Sequence, residues 1–272
     1  MKQVVFTDLD GTLLDSVTYT YEKSLAGINR LKQNAIPIIF CSAKTRTEQE
    51  VYRREMGVFH PFIVENGGAI FIPPNYFPFP FDHHKIADGL LVIELGTPYE
   101  EIRNLLDKVR EDGKFHFRGF GDMSVEEVAK ETGLDTESAK LAKQREYDET
   151  VVIASEGKQS RVTSKEIEKT LEKIKESGLN WAHGGRFYDI MGDNDKGKAV
   201  AIVSNLYRKM WGEIETIGLG DSLNDLPMLS LVDIPILVQK RDYSWENINL
   251  PHLLKVQGVG PEGWNRAIEE IF

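Results

Sequence analysis

The chain has 272 residues, 41% of them apolar and 10% aromatic, enough for one large α/β domain or two smaller ones around a real core. Its formal net charge of −10 argues against a dedicated nucleic-acid or anionic-membrane surface, yet a local cluster of Lys, Arg and metal still admits a small anionic substrate. The single cysteine, Cys41, excludes an intramolecular disulfide, and no apolar run approaches the ~18 residues of a membrane span or resembles a signal peptide, so a cytoplasmic protein with no membrane partner is expected.

Val4–Thr7 is a short β-branched and aromatic run that reads as a buried strand, ending in Asp8-Leu9-Asp10-Gly11. Leu25, Ile28 and Leu31 then recur at helical spacing. Pro37–Cys41 is a second apolar strand followed by polar Ser42–Arg46, Thr47–Met56 a helix, and Pro61–Val64 a third strand running into Glu65-Asn66-Gly67-Gly68. Strands alternating with helices predict a parallel sheet and an α/β fold.

Four of the eleven prolines (Pro73, Pro74, Pro78, Pro80) fall between Ile72 and Phe81, where neither a helix nor a central strand can continue, and a domain transition is expected there. Beyond it come a strand over Leu90–Leu95, then Thr97-Pro98-Tyr99-Glu100, a capping box opening a helix that Gly113 ends. Helices over Val125–Glu131 and Glu137–Gln144, a strand over Thr150–Ala154, a helix around Ile167–Ile174 and strands over Leu179–His183 and Arg186–Ile190 complete an α+β insertion. The expected division is a core of residues 1–83 and 191–272 with an inserted domain of residues 84–190. The first texture then returns: a helix after Asp195-Lys196-Gly197, a strand over Thr216–Gly220 leading to Asp221, a helix, and a strand over Ile234–Val238.

In a parallel α/β sheet, ligands bind beyond the carboxyl ends of the strands. Asp8/Asp10, Ser42, Lys196 and Asp221 with Asp225 all sit at such places. Asp8-Leu9-Asp10-Gly11 has three readings: a calcium loop, a solvated turn, or two carboxylates facing a metal-bound phosphate. The first is disfavoured because Thr12 and Leu13 stand where an acid and a glycine belong. In the last, one acid attacks while the other handles a proton. Gly218–Asp225 lacks the third glycine of a dinucleotide fingerprint, position 223 being leucine, and reads better as a Mg²⁺ ligand, Asp221, supported by Asn224 and Asp225. Alone, Lys196 reads as a surface lysine and Ser42 as a turn or N-cap serine. Their weight comes from company.

In this order, Asp8-x-Asp10-Gly11-Thr12, Ser42, Lys196 and Gly220-Asp221-x-x-Asn224-Asp225 resemble the haloacid dehalogenase superfamily, and the insertion between Ser42 and Lys196 resembles that of its large-cap sugar phosphatases. The resemblance implies an α/β Rossmann-like core and a phosphatase in which Asp8 is the nucleophile and forms an aspartyl-phosphate, and Asp10 the acid and base. Ser42 and Lys196 contact the phosphoryl group, and Mg²⁺ is held by Asp8, the Asp10 carbonyl and Asp221. Ser42–Arg46, Val64–Gly68, Arg145–Thr150, His183–Tyr188 and Gly260–Trp264 further resemble the mannosyl-3-phosphoglycerate phosphatase family, which implies a small phosphorylated sugar-glycerate as substrate and a monomer or homodimer. For such a ligand, Lys44, Arg46, Arg145 and Arg186 are available cations, and Glu65, Asn66 (with Gly67), Asp148 and Glu149 available partners for sugar hydroxyls. His183 reads equally as a ligand contact or a turn residue. Cys41 reads as core packing, and the His83-His84 pair as solvated. A phosphatase of another sugar phosphate (glucosyl-3-phosphoglycerate or sucrose phosphate), a phosphohexomutase and a catalytically silent sugar-phosphate sensor are the alternatives.

Overall fold

β1 (Lys2–Thr7) has its last four residues buried, and they alternate between two packing faces: Val5 joins one apolar cluster, Val4 and Phe6 the other. A period of two with both faces apolar is what a central strand of a helix-covered parallel sheet requires. The computed structural model describes residues 1–111, 115, 117–153, 163–184 and 187–272. Among them, α1 (Leu25–Gln33), β2 (Ile38–Phe40), α2 (Arg46–Met56), β3 (Phe62–Val64) and β4 (Ala69–Ile72) follow in order. β5 (Lys85–Ala87), β6 (Leu90–Glu94), α3 (Tyr99–Glu111), β7 (Phe117–Gly119), α4 (Val125–Thr132), α5 (Thr136–Ala142), β8 (Asp148–Ile153) and α6 (Ser164–Glu176) come next. β9 (Asn180–Gly184), β10 (Phe187–Met191), α7 (Lys196–Trp211), β11 (Ile214–Gly220), α8 (Leu226–Leu229), β12 (Ile234–Gln239), β13 (Leu254–Val259) and α9 (Pro261–Ile271) complete the chain.

Five strands form an all-parallel sheet in the order β13-β12-β11-β1-β2. Ile28 and Leu31 of α1 and Trp264, Ala267 and Ile268 of α9 cover one face. Val200, Val203 and Tyr207 of α7 cover the other. The expected α/β class and parallel sheet stand. β13 and α9 were not anticipated: β13 is short and largely exposed, and Pro261 at the start of α9 is a helix-opening signal only once a strand is known to precede it.

A second, antiparallel sheet has the order β3-β4-β6-β5, and a third, also antiparallel, β7-β8-β10-β9. The second sheet revises the expected division of the chain. β6 pairs with β4 through the buried partners Ile70↔Ile93 and Phe71↔Val92, so residues 84–94 continue the sheet begun at Phe62 instead of opening the insertion. The chain leaves that sheet where Leu95 N and Gly96 N both donate to Gly68 O, at 2.9 and 2.8 Å. The proline-rich stretch is accordingly no domain transition. It straps α7: Phe77 lies 5.3 Å from the Tyr207 ring and the Tyr76 and Tyr207 hydroxyls are 2.6 Å apart. α3 and α6 pack on one face of the third sheet through Ile102, Leu106, Leu171 and Ile174, while α4 and α5 pack with Phe120 and Met123. α3 begins at Tyr99, one residue later than expected. Its expected end at Gly113, and the strand end at Ala154, lie outside the described residues, as do Gly185 and Arg186.

Trp264 ties the last helix to the strand that carries the first aspartates. Its side chain is fully buried and its Nε1–H donates to Thr7 Oγ1 at 3.0 Å, one residue before Asp8. Trp264→Ala is expected to cost about 3–5 kcal/mol of unfolding free energy, from lost burial and the cavity left behind, read by urea denaturation.

Candidate active site

The carboxyl ends of β1, β2 and β11 deliver the charged groups to one place. After β1, Asp8 N donates to Leu219 O of β11 at 2.9 Å, and the chain reverses over Leu9–Leu14, closed by Leu14 N donating to Leu9 O at 2.8 Å. Gly11 sits in this reversal with φ +82°, and a Cβ there would meet Asp221 Oδ2 at 2.8 Å. A glycine is therefore what lets the two acidic loops approach. Leu9, Leu13 and Leu14 are fully buried and anchor the reversal in the core, while Asp8 and Asp10 face a cavity of about 490 Å³.

Lys196, the first residue of α7, is buried between two carboxylates: its Nζ lies 2.6 Å from Asp8 Oδ1 and 2.7 Å from Asp225 Oδ1. The second oxygen of Asp225 accepts from Asp221 N at 3.0 Å and Ser222 N at 3.1 Å. Both oxygens of Asp225 are thus committed, which makes it a support for Lys196 and the Asp221 loop. Asp221 Oδ1 accepts from Thr12 Oγ1 at 3.2 Å.

Three acids, Asp8, Asp221 and Asp225, bring oxygens within 4.8 Å of one another, and one lysine faces them. Burial pushes the Asp8 carboxyl up to about 7 against the pull of Lys196, with Asp225 and Asp10 adding to the rise. Burial, then Asp225 and Asp8, raise Asp221 well above the ordinary carboxylate range. Burial disfavours the charge on Lys196, but Asp225 and Asp8 outweigh it and keep the ammonium above its usual range. The surplus negative charge and all-oxygen donor set fit a hard divalent cation between Asp8 and Asp221.

Lys44 plays the corresponding part for Asp10. It is almost fully buried, 3.1 Å from Asp10 Oδ2 and 3.2 Å from Glu48 Oε1, with its ammonium over the Tyr19 ring at 4.9 Å. Asp10 Oδ1 is buried without a hydrogen-bond partner among the described residues, and burial raises the Asp10 carboxyl despite Lys44. Ser42 Oγ accepts from Lys44 N at 3.3 Å and lines the cavity, which leaves its proton for a group inside.

The facing wall comes from the third sheet: Arg145, Thr150, Phe187 and Asp189 line the same cavity. Arg145 pairs with buried Asp148 at 2.7 Å and donates to Ala43 O at 2.9 Å, so it braces the loop beside Ser42 as well as lining the cavity. Asp189 accepts from Thr150 Oγ1 at 2.7 Å and Asn66 Nδ2 at 3.0 Å, and Asn66 Oδ1 accepts from Asn224 Nδ2 at 3.3 Å. This relay crosses from the core to the wall opposite.

Of the other expected ligand contacts, those among the described residues do not line this cavity. Arg46 is held by Glu146 at 2.9 Å, Asp88 at 2.8 Å and Glu50 at 3.2 Å, away from it. Glu65 is fully buried and accepts backbone N–H groups from Glu146, Tyr147 and Asp148 at 2.6–3.1 Å, so it fastens the inserted segment. Asp148 Oδ1 pairs with Arg145 while its Oδ2 is buried without a hydrogen-bond partner among the described residues, and Glu149 is held by Tyr99 and Arg103 at 2.7 Å each. Gly67, at φ +90°, is a backbone requirement: a side chain there would run into the Asp195 carbonyl. His183 stacks on Tyr188 at 4.5 Å and lines a second cavity of about 350 Å³ with Asn66 and Trp181. Arg186 lies outside the described residues. His84 Nδ1 accepts from Glu94 N at 3.0 Å, and Cys41 is buried in the core.

Two residues at the site, Asp189 and Arg241, carried no sequence signal. Asp189 looks like an ordinary strand residue until β8 and β10 are paired, which sets it opposite Thr150, itself read only as the end of the Arg145–Thr150 stretch. Arg241 follows β12 in a polar stretch with no motif around it, and only the cavity picks it out. Thr12 was readable as part of the acid motif, but its bond to Asp221 joins positions 209 apart in the chain.

Residues 5–246 match a family model described as haloacid dehalogenase-like hydrolase. The chain is 50% identical, over 100% of its own length and 98% of the relative's, to the glucosyl-3-phosphoglycerate/mannosyl-3-phosphoglycerate phosphatase of Methanococcoides burtonii. It is 38% identical to the mannosyl-3-phosphoglycerate phosphatase of Pyrococcus furiosus, over 88% of this chain and 91% of that one. Its fold is similar to a solved haloacid dehalogenase-like hydrolase from B. subtilis, with a TM-score of 0.69, 14% identity and both chains covered completely.

Glu65→Ala leaves three N–H groups of residues 146–148 without their acceptor. The expected result is a loss of at least about 1–3 kcal/mol in urea unfolding and faster amide exchange at those three positions.

Proposed function

The chain belongs to the haloacid dehalogenase-like hydrolases, and from that premise we propose that it removes the phosphate from a glycosylated 3-phosphoglycerate. Mannosyl-3-phosphoglycerate is the substrate proposed first, with the glucosyl compound beside it because the name of the M. burtonii relative carries both sugars. The observation that carries the reaction class is Asp8, held by Lys196 at 2.6 Å at the floor of a cavity, with Asp10 and Asp221 at its sides.

Lys196 binds one oxygen of Asp8 and so turns the carboxylate, leaving the other oxygen toward the cavity as nucleophile. Its attack on phosphorus expels the glycerate oxygen and leaves an aspartyl-phosphate on Asp8. Asp10, raised by burial and with Oδ1 unpartnered, gives its proton to the departing oxygen and then takes one from the water that hydrolyses the acyl phosphate. Lys44 keeps the resulting carboxylate of Asp10 in place. The Ser42 hydroxyl and the Lys196 ammonium donate to phosphoryl oxygens. Asp8 and Asp221, with the Asp10 backbone carbonyl that the family resemblance implies, would hold Mg²⁺, and Asp225 and Thr12 orient that set. When bound, the ion neutralises phosphoryl charge and the mutual repulsion of the acids.

Recognition of the remainder falls to the opposite wall. Thr150 and Asp189 offer hydroxyl and carboxylate partners to sugar hydroxyls, and Phe187 an apolar face. A cavity of about 490 Å³ accommodates a hexose joined to a phosphorylated three-carbon acid.

Asp8→Asn removes the nucleophile while keeping its volume. Phosphate release is expected to fall by about a thousandfold or more, with an unchanged circular dichroism spectrum. With Mg²⁺ present, kcat/KM for mannosyl- and glucosyl-3-phosphoglycerate is expected to exceed that for sucrose phosphate and simple hexose phosphates by about tenfold or more. Equal rates across this panel would leave a generic phosphatase, and isomerised sugar phosphate without free phosphate would mark a mutase.

A further inference from the structure

We propose that Arg241 binds the carboxylate of the substrate and is the residue by which this site tells a phosphoglycerate from a phosphate ester without an acid group. The inference rests on the substrate class proposed above. A 3-phosphoglycerate glycosylated on its remaining hydroxyl carries two anionic groups a few bonds apart, so the cavity needs a cation beyond those serving the phosphoryl group.

Among the described residues, four cations line the cavity, and three are already matched. Lys44 is held by Asp10 and Glu48, Arg145 by Asp148, and Lys240 by Glu246 at 2.5 Å. Arg241 is exposed and forms no ion pair with an acid among the described residues. Its neighbour Asp242 does not serve it, because Asp242 Oδ1 accepts from Ser244 N at 3.0 Å and Ser244 Oγ at 2.6 Å. An unmatched guanidinium at a cavity already crowded with acids is the group with capacity left for a carboxylate, and its planar fork suits one.

The loop that carries Arg241 is held at both ends. Lys240 N donates to Ser244 O and Tyr243 N to Lys240 O, both at 2.9 Å. The Gln239 amide donates to Tyr243 O at 2.6 Å and accepts from Gly258 N at 2.7 Å, so one side chain links this loop to the end of β13. The backbone around Arg241 is therefore positioned before ligand arrives, which reduces the ordering cost of binding. The loop follows β12, second from the edge of the same sheet that presents Asp8 and Asp221, and its cation lines the cavity that Thr150 and Asp189 also line.

The test compares wild type with Arg241→Gln and Arg241→Lys on glycosyl-3-phosphoglycerate and on the matching glycosyl-glycerol phosphate, which lacks the carboxylate. Arg241→Gln is expected to raise KM for the carboxylate substrate by about 10–100-fold with kcat nearly unchanged. Arg241→Lys is expected to recover part of the loss, and kcat/KM on the glycerol compound to stay at the wild-type value. An equal loss on both compounds, or no loss on either, overturns the assignment. If wild type leaves every glycosyl-3-phosphoglycerate intact, the substrate reading fails by itself. The same variants are then compared on 3-phosphoglycerate and glycerol 3-phosphate, where a loss confined to the acid supports Arg241 and an equal or absent loss overturns it.

Discussion

A lysine without solvent contact, caught between two aspartates, is the constraint around which the remainder is arranged. Removing three charges from water is expensive, and only close mutual pairing with the remaining oxygens hydrogen-bonded offsets that cost. Lys196 meets both conditions at 2.6 and 2.7 Å, and the spare oxygen of Asp225 takes two backbone N–H groups. The arrangement demands that the end of β1, the loop after β11 and the first turn of α7 share one point. It therefore sets which strands are neighbours: β1 lies directly beside β11, in parallel register from Lys2↔Ile214 to Thr7↔Leu219.

The same arithmetic separates two kinds of charge in the cavity. Asp8, Lys44 and Lys196 are buried, and the two lysines pair with Asp8 and with the half-buried Asp10, so their geometry is stiff and suited to in-line chemistry on a small group. Arg145 and Asp189 are also matched, but each bonds across to a residue that follows a strand of the core, Ala43 after β2 and Asn66 after β3, and so ties one wall to the other. On the proposed function, the floor of the cavity would serve the phosphoryl group common to a superfamily, and its sides and rim what varies with the sugar and the acid.

What the sequence disclosed follows from locality. Asp8, Asp10, Ser42 and Asp221 each stand immediately after an apolar run, so strand, end and site residue are read in one window. Lys196 was legible only in the company of the others. Arg46 and Glu65 show the limit: their charge type was plain, but whether a charge meets a ligand or another segment depends on partners about 40 to 100 residues away, Asp88 and Glu146 for Arg46. The proline-rich stretch misled for a related reason. Prolines do stop a strand, yet nothing local says that the strands on either side, β4 and β6, pair with each other. Arg241 belongs to a loop whose importance comes entirely from the cavity it borders.

The placement of β1 between β2 and β11 has a consequence for synthesis. A ribosome that has delivered residues up to Met191 has made Asp8, Asp10, Ser42 and the strands of the third sheet, but neither Lys196 nor β11, the strand that flanks β1 on its other side. In such a nascent chain Asp8 lacks the ammonium of Lys196 and β1 has an open edge, a state prone to wrong pairing until β11 emerges. A chain interrupted before Lys196 therefore carries Asp8 and Asp10 but neither the ammonium that pairs with Asp8 nor Asp221 and Asp225.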